Sequence, residues 1–212
     1  DDSNRDDIAI VMNTGGGGVD IIADGEKTYL EKGASRVGIF TVPAYAPNMA
    51  SCQVAINLGI NGPTVTSVAA CAAGIFAFIE AKRMIDLGEA DVVITGGAEA
   101  NIIPISVAAM ANMKALSTRN DEPEKACRPF DATRDGFVYG EGAAAFVIET
   151  VEHAQRRGAR IYAELAGGAI TSDAYHITAP DPSGVQASRA ITKAIEKSGL
   201  TPEDVDLIVA HG

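Results

Sequence analysis

The 212-residue chain is 47% hydrophobic and 21% charged, enough apolar sequence to bury a core in one large domain or two small ones. Its formal charge of −11 excludes nucleic acid and anionic membranes as partners selected by bulk charge. Three cysteines with no CxxC pair and no ligand spacing to the three histidines argue against a metal site and for a reducing compartment, best met by the cytoplasm.

The acidic start, Asp1 to Asp7, carries no apolar signal region, and no run approaches the roughly 18 apolar residues of a membrane span. Residues 8–12 read as a buried strand running into Asn13-Thr14-Gly15-Gly16-Gly17-Gly18, a backbone able to turn sharply. The tetraglycine matches neither GxGxxG nor GxxxxGK[ST], so it is read as a turn lining a narrow cavity and not as a phosphate cradle. A helix follows, then a second over 49–58 capped by Asn48 and ended by Gly59, then a turn at Asn61-Gly62-Pro63. A short strand over 64–68 hands over to a helix over 72–87, with Ile75, Phe78, Ile79 and Ile85 on one face and Glu80, Lys82, Arg83 and Asp86 mostly elsewhere. A strand over 91–95, a helix around 105–113 and a long polar loop over 117–134 come next. Strands over 143–149 and 160–169 flank a short helix over 151–157. A helix over 183–198, a capped turn at Thr201-Pro202-Glu203 and a strand over 206–210 complete the pattern. Alternating strands and helices with apolar strands imply an α/β fold, a mainly parallel sheet covered on both faces. With no initiator Met and an ending just after an apolar run, the chain is expected to be an internal fragment.

Cys71 stands at the joint between strand and helix, where unpaired amides and the positive helix end favour a thiolate. Small neighbours, Ala69, Ala70, Ala72, Ala73 and Gly74, leave room for a substrate. Locally it is either a nucleophile or a packed small hydrophobe. Among the histidines, His153 lies on a polar helix and reads as surface. His176 sits in a polar loop with Asp173 near enough to orient it, as a site or a structural residue. His211, after the last apolar strand, occupies the carboxyl end where open α/β sheets place their sites.

Val68-Ala69-Ala70-Cys71-Ala72-Ala73-Gly74, Val93-Ile94-Thr95-Gly96-Gly97-Ala98-Glu99 and Ala115-Leu116-Ser117-Thr118-Arg119-Asn120 resemble the elongating β-ketoacyl-acyl-carrier-protein synthases of type II fatty acid synthesis. So do Arg128-Pro129-Phe130-Asp131, Arg134-Asp135-Gly136-Phe137-Val138, Gly140-Glu141-Gly142, Ser172-Asp173-Ala174-Tyr175-His176 and Ala210-His211-Gly212. The resemblance runs in order along almost the whole chain. It implies a thiolase-like layered fold, with mixed but mainly parallel sheets and covering helices. Residues 1–150 would be the later part of its N-terminal half, and residues 151–212 the start of its C-terminal half.

It also implies a decarboxylating Claisen condensation of an acyl-enzyme thioester with malonyl-acyl carrier protein. Cys71 would carry the acyl chain, and His211 would hydrogen-bond the malonyl thioester carbonyl. A second histidine and a lysine of the family pattern belong beyond Gly212. His176 and Thr178 match substrate-binding positions near the pantetheine arm, and Phe137 matches a gate beside the nucleophile. Lys114 and Arg36 match basic positions facing an acidic carrier protein. Gly16 replaces the family's common bulky aliphatic residue and implies a roomier acyl pocket. The resemblance implies no cofactor and no metal, substrates arriving on the phosphopantetheine arm. It further implies a homodimer in the cytoplasm, or in a plastid or mitochondrial matrix in a eukaryote. A polyketide ketosynthase shares the nucleophile and histidines, and a non-catalytic scaffold subunit shares the fold. The chain-length factors of that second kind lack the cysteine.

Overall fold

In the computed structural model, which describes residues 4–212, strand β1 (Ile8–Asn13) is buried from Ala9 to Asn13. Residues 1–3 of the acidic start lie outside the described residues. Unbroken burial over Ala9-Ile10-Val11-Met12 means that both faces of the strand are covered, as its continuous apolar run requires. β2 (Thr64–Val65) and β3 (Val92–Glu99) run parallel to β1 on its two sides, with Ile10 opposite Thr64 and Ile94. β4 (Gly142–Glu149) lies antiparallel to β3, so the order is β2-β1-β3-β4 and the parallel sheet has one reversed strand. The strand read over 64–68 shrinks to two residues plus an isolated bridge between Thr14 and Val68.

Alternation along β1 assigns its two faces to two helices. Ala9 and Val11 pack with Val93 against helix α4 (Ala73–Asp86) through Ala77, Ala81 and Met84. Alanines four residues apart present one smooth stripe, so the helix lies close on the sheet. Ile75, read as part of the apolar face, is 70% exposed, because the face that docks is the alanine stripe. Ile10 and Met12 pack on the other side against Val54 and Ala55 of helix α3 (Met49–Leu58), with Ile60 closing the cluster. Gly59 ends α3 in the left-handed conformation at φ 64°, as the glycine there predicts. Asn48 precedes the helix without a side-chain cap bond; its amide donates to Cys52 Sγ at 3.5 Å instead. Before α3, the glycine loop leads into α1 (Val19–Lys32) and the short α2 (Thr41–Tyr45).

Beyond β3, α5 (Pro104–Asn112) starts with proline in its first turn, and the polar stretch over 117–134 is a loop holding one 3-10 turn, Pro123–Lys125. Helix α7 (Val185–Ser198) forms as its periodicity predicts, and Thr201 with Asp204 makes a reciprocal capping box. The strands read over 160–169 and 206–210 do not form; neither run has a strand partner among the described residues. Apolar, β-branched sequence makes an extended run, but a ladder needs a neighbour for its amides and carbonyls. Among the described residues no helix is long and apolar enough to cross a membrane, and no group of three His, Cys, Asp or Glu residues is placed to hold a metal ion.

At the end of β4, Glu149 is a shared acceptor. Arg157 Nε donates to it at 2.9 and 3.1 Å, Arg157 Nη2 adds a further bond, and His153 Nδ1 meets the same carboxylate. His153, read as a surface residue, is drawn inward to 20% side-chain exposure, while its amide is capped by the Thr150 hydroxyl at 3.1 Å at the start of α6 (Val151–Arg156). The Arg157 hydrogen bonds, followed by that of His153, hold the Glu149 carboxyl below its ordinary 4.5. A depressed carboxyl contributes stability above its unfolded pKa and loses it as pH falls through the folded value. Glu149→Gln is therefore expected to lower the melting temperature by several degrees at pH 7, with the gap to the unsubstituted protein closing as pH drops below 4.5, in thermal unfolding followed by circular dichroism.

Candidate active site

Three parallel strands deliver their carboxyl ends to one edge of the sheet, the edge at which open α/β sheets form crevices. The glycine loop after β1, the turn holding Cys71 and the end of β3 meet there. Gly15 lies against the Ala70 carbonyl oxygen and donates its N–H to Glu99 Oε2 at 2.6 Å. Thr14 Oγ1 donates to the same oxygen at 3.2 Å and accepts the Gly17 amide at 3.1 Å, using its donor and an acceptor lone pair in opposite directions. Glu99 Oε1 accepts from the Asn101 amide. Asn101 is only 4% exposed, and its Oδ1 has no partner among the described residues.

Cys71 sits in a single 3-10 turn, Ala70–Ala72, that runs directly into α4, and its side chain is exposed. Ala70 adopts φ 46°, a left-handed conformation that costs an alanine about 1–3 kcal/mol and persists only where its surroundings impose it. The turn is held from outside by the bridge of Thr14 to Val68 and by the hydrogen bond from Thr14 N to Ser67 O at 3.4 Å. α4 directs the positive dipole end of a 14-residue helix toward it, while the amides of Ala72 and Ala73 are taken up by the Ala69 and Ala70 carbonyls inside the turn. An exposed thiol on a constrained turn at a helix amino end can attack a carbonyl carbon.

Beneath the turn is a polar cluster that sequence reading did not identify. Asn13, fully buried, accepts the Ser67 amide at 2.7 Å on Oδ1 and donates from Nδ2 to the Ala73 carbonyl at 3.2 Å and to Glu80 Oε2 at 2.9 Å. Ser67 Oγ donates to Glu80 Oε1 at 2.6 Å. Glu80, counted with the polar face of its helix, turns inward to these two donors. The available signal was Asn13 itself, a polar residue closing an apolar buried strand.

The remaining sequence-predicted residues are distributed over separate segments. Gly16 is exposed in the glycine loop, beside the Glu99 and Asn101 pair, one residue from the Ala70 contact. Lys114 is exposed at φ 57° just past α5. Phe137 pairs with the segment after Lys114: its amide donates to Ala115 O at 2.9 Å, and its carbonyl accepts Ser117 N at 3.0 Å. Its ring stacks edgewise on Tyr139 with centroids 6.3 Å apart. Nearby, Asp135 accepts from Ser117 Oγ at 2.7 Å and Thr118 N at 3.0 Å, bonds that hold its carboxyl below the ordinary 3.8 with help from Arg119. Arg36 is exposed in the 3-10 turn Ala34–Arg36.

His176 and Thr178 are brought together. Nδ1 of His176 accepts the amides of Thr178 and Ala179, each at 3.2 Å, which in the neutral ring puts the proton on Nε2. Asp173 does not orient that ring, contrary to the sequence reading; its Oδ2 accepts the Asp181 amide at 2.9 Å, because the loop folds back on itself. Residues 171–177 line an open depression of about 580 Å3. His211 lies in an exposed terminal segment whose last residue, Gly212, packs against Pro129 and Phe130, and not behind a buried strand as the apolar run before it predicts.

Comparison with known proteins places this geometry among relatives. Residues 1–154 match the family model for the beta-ketoacyl synthase N-terminal domain, and residues 162–212 match that for the C-terminal domain. The chain is 50% identical over 209 residues to 3-oxoacyl-[acyl-carrier-protein] synthase 2 of Synechocystis sp., covering 99% of this chain and 50% of that protein. It is 47% identical over 211 residues to the protein of the same name from Staphylococcus aureus, covering 100% of this chain and 51% of that one. The chain thus spans about half the length of the curated relatives it matches. A crystal structure of a beta-ketoacyl synthase from Burkholderia phymatum superposes with a TM-score of 0.89 at 36% identity, over 99% of this chain and 50% of that one. A type II polyketide ketosynthase, in complex with its acyl carrier protein and bound to the hexaketide, gives 0.86 at 30% identity, over 95% of this chain and 51% of the other. These neighbours carry the thiolase-like ketosynthase fold, in agreement with the resemblance read from the motifs.

The glycine loop gives a direct test of the geometry. A methyl group on Gly18 would sit 2.8 Å from the Ala44 carbonyl oxygen and 2.9 Å from Tyr45 Cα, backbone atoms that cannot swing away. On Gly16 it would meet Asn101 Nδ2 at 3.4 Å and Val19 Cγ2 at 3.8 Å. In urea unfolding, Gly18→Ala is expected to cost about 1–3 kcal/mol, whereas Gly16→Ala stays within about 0.5 kcal/mol of the unsubstituted protein.

Proposed function

The chain belongs to the beta-ketoacyl synthase family, and from that premise we propose that the full-length protein is an acyltransferase extending a fatty acyl chain by two carbons. The observation that carries this reading is the position of Cys71, exposed on a constrained turn at the amino end of α4 where the carboxyl ends of three parallel strands converge. The Cys71 thiolate attacks the carbonyl of an acyl thioester, the carrier's pantetheine thiol leaves, and an acyl-cysteine forms. The backbone amide of Cys71 supports the oxyanion. Malonyl thioester then loses CO2, and the resulting enolate attacks the acyl-cysteine carbonyl. A carbon–carbon bond forms, the Cys71 sulfur departs, and it regains a proton. His211 stabilises the enolate as a hydrogen-bond donor to the malonyl carbonyl.

In the same reading, His176 and Thr178 contact the pantetheine arm, a role supported by their shared hydrogen bonds beside the 171–177 depression. Phe137 gates the acyl pocket. Lys114 and Arg36, both exposed, meet an acidic acyl carrier protein. No cofactor is required beyond the substrates' own phosphopantetheine, and no metal takes part. Residues 1–150 and 151–212 belong to the two thiolase-like halves, a division near which the family models change over, the first ending at residue 154 and the second starting at residue 162. The protein acts as a homodimer in the cytoplasm or an organelle matrix. A polyketide ketosynthase is the second reading, favoured by the 0.86 TM-score to such an enzyme with its carrier. Product analysis with malonyl carrier and repeated extension separates the two.

With a labelled acyl-carrier thioester, the Cys71→Ala protein is expected to form no acyl-enzyme, and transfer that survives the substitution would overturn the assignment. His211→Ala is expected to acylate normally but to lose about 10²- to 10³-fold in decarboxylation of the malonyl thioester, read as labelled CO2 release. Gly16→Ile projects a branched side chain from the loop beside Cys71 and is expected to shorten the longest acyl group accepted. Chain-length competition assays with unchanged preference would remove Gly16 from the pocket.

A further inference from the structure

We propose that Asn13, Ser67 and Glu80 act together as positioning residues that set the attack geometry of Cys71, a role that rests on the reading of Cys71 as the acyl-accepting nucleophile. Each member belongs to a different piece of the fold around the thiol. Asn13 closes β1, Ser67 stands four residues ahead of Cys71, and Glu80 lies on α4, nine residues beyond it. Asn13 is fully exhausted as a donor, with one amide proton on the Ala73 carbonyl and the other on Glu80. The Ala73 carbonyl can only accept and the Ser67 amide can only donate, so these two neighbours dictate the amide orientation, with Nδ2 toward the first and Oδ1 toward the second.

Glu80 receives one donor on each oxygen, Asn13 Nδ2 on Oε2 and Ser67 Oγ on Oε1. A carboxyl drawn toward the sheet is costly unless its lone pairs are met, so the cluster is satisfied only when strand end, incoming segment and helix hold one relative placement. That placement fixes both ends of the 69–72 turn, because Ser67 precedes it and Ala73 follows it. The left-handed Ala70 inside the turn is the strained residue such a frame would retain. The three side chains bond to one another and to the Ala73 carbonyl, so their effect passes through the position of Cys71 and its turn.

The test uses the full-length protein and compares Glu80→Ala, which removes the acceptor of one Asn13 amide proton and of the Ser67 hydroxyl, with Glu80→Gln, whose amide oxygen accepts from Asn13 and whose amide nitrogen donates to the Ser67 hydroxyl. Glu80→Ala is expected to slow acylation of Cys71 about tenfold or more while the KM for the acyl-carrier thioester stays within about twofold, as misplacement without loss of binding requires. Glu80→Gln is expected to restore the rate to within about threefold of the unsubstituted protein. Site-resolved alkylation by iodoacetamide gives a readout independent of the natural substrate: Glu80→Ala slows modification at Cys71 and leaves the exposed Cys127 unchanged. Unaltered acylation and alkylation in Glu80→Ala would overturn the proposal. So would a Gln variant as slow as the Ala variant, or a change equal at Cys71 and Cys127. If the unsubstituted protein forms no acyl-enzyme, the functional reading fails, while the alkylation comparison still decides the positioning role.

Discussion

The carboxyl end of β1 is the point on which the rest of the structure depends. Asn13 is wholly buried there, and its side chain ties the incoming Ser67 segment, the first turn of α4 and Glu80 to one strand end. An unpaired amide in that position would cost about 1–3 kcal/mol per lost partner, so the strand, the turn and the helix are committed together. The chemistry proposed for Cys71 inherits this constraint. A nucleophile on a loose turn would spend most of its time misaligned, whereas one fixed between a strand and a helix is aligned before the substrate arrives.

The two layers on either side of β1 explain why this commitment is affordable in so small a core. Residues 9 and 11 of the strand face an alanine stripe on α4, and residues 10 and 12 face α3. Small side chains on α4 bring its axis close enough for the Ala73 carbonyl to reach Asn13, so tight packing and polar satisfaction are one geometric fact. A second carboxylate, Glu99, performs a similar task one strand over, where it gathers the Gly15 amide and the Thr14 hydroxyl and shapes the glycine loop beside the Cys71 turn. The sheet edge is therefore organised by two acidic side chains facing inward, in a chain whose acidity as read from composition pointed only to solvent and partners.

Elements whose signals are local were legible in the residues. α3, α4, α5 and α7 and strands β1, β3 and β4 lie where apolar periodicity, glycine stops and Pro-initiated turns place them, because each satisfies its own backbone or its own face. Elements that need a distant partner were not. The runs over 160–169 and 206–210 carry strand-forming residues but meet no ladder, and the reversal of β4 against β3 is a property of the pair. The same distinction holds in the site. Cys71 announced itself by its place between strand and helix. Glu80 looked like an outward charge on a polar face, because its donors lie 13 and 67 residues away in sequence.

By itself the sequence determined the alternation of strands and helices, the glycine loop, the place of Cys71 between strand and helix, and the family, because motifs and periodicity are written in neighbouring residues. Tertiary structure alone decided which charged and polar groups face inward, how the Cys71 turn is braced, and that Asp173 serves Asp181 and not His176. The physical reason is that a hydrogen bond is set by distance in space. The chain brings Asn13, Ser67 and Glu80 within about 3 Å of one another only once β1 lies between two helices.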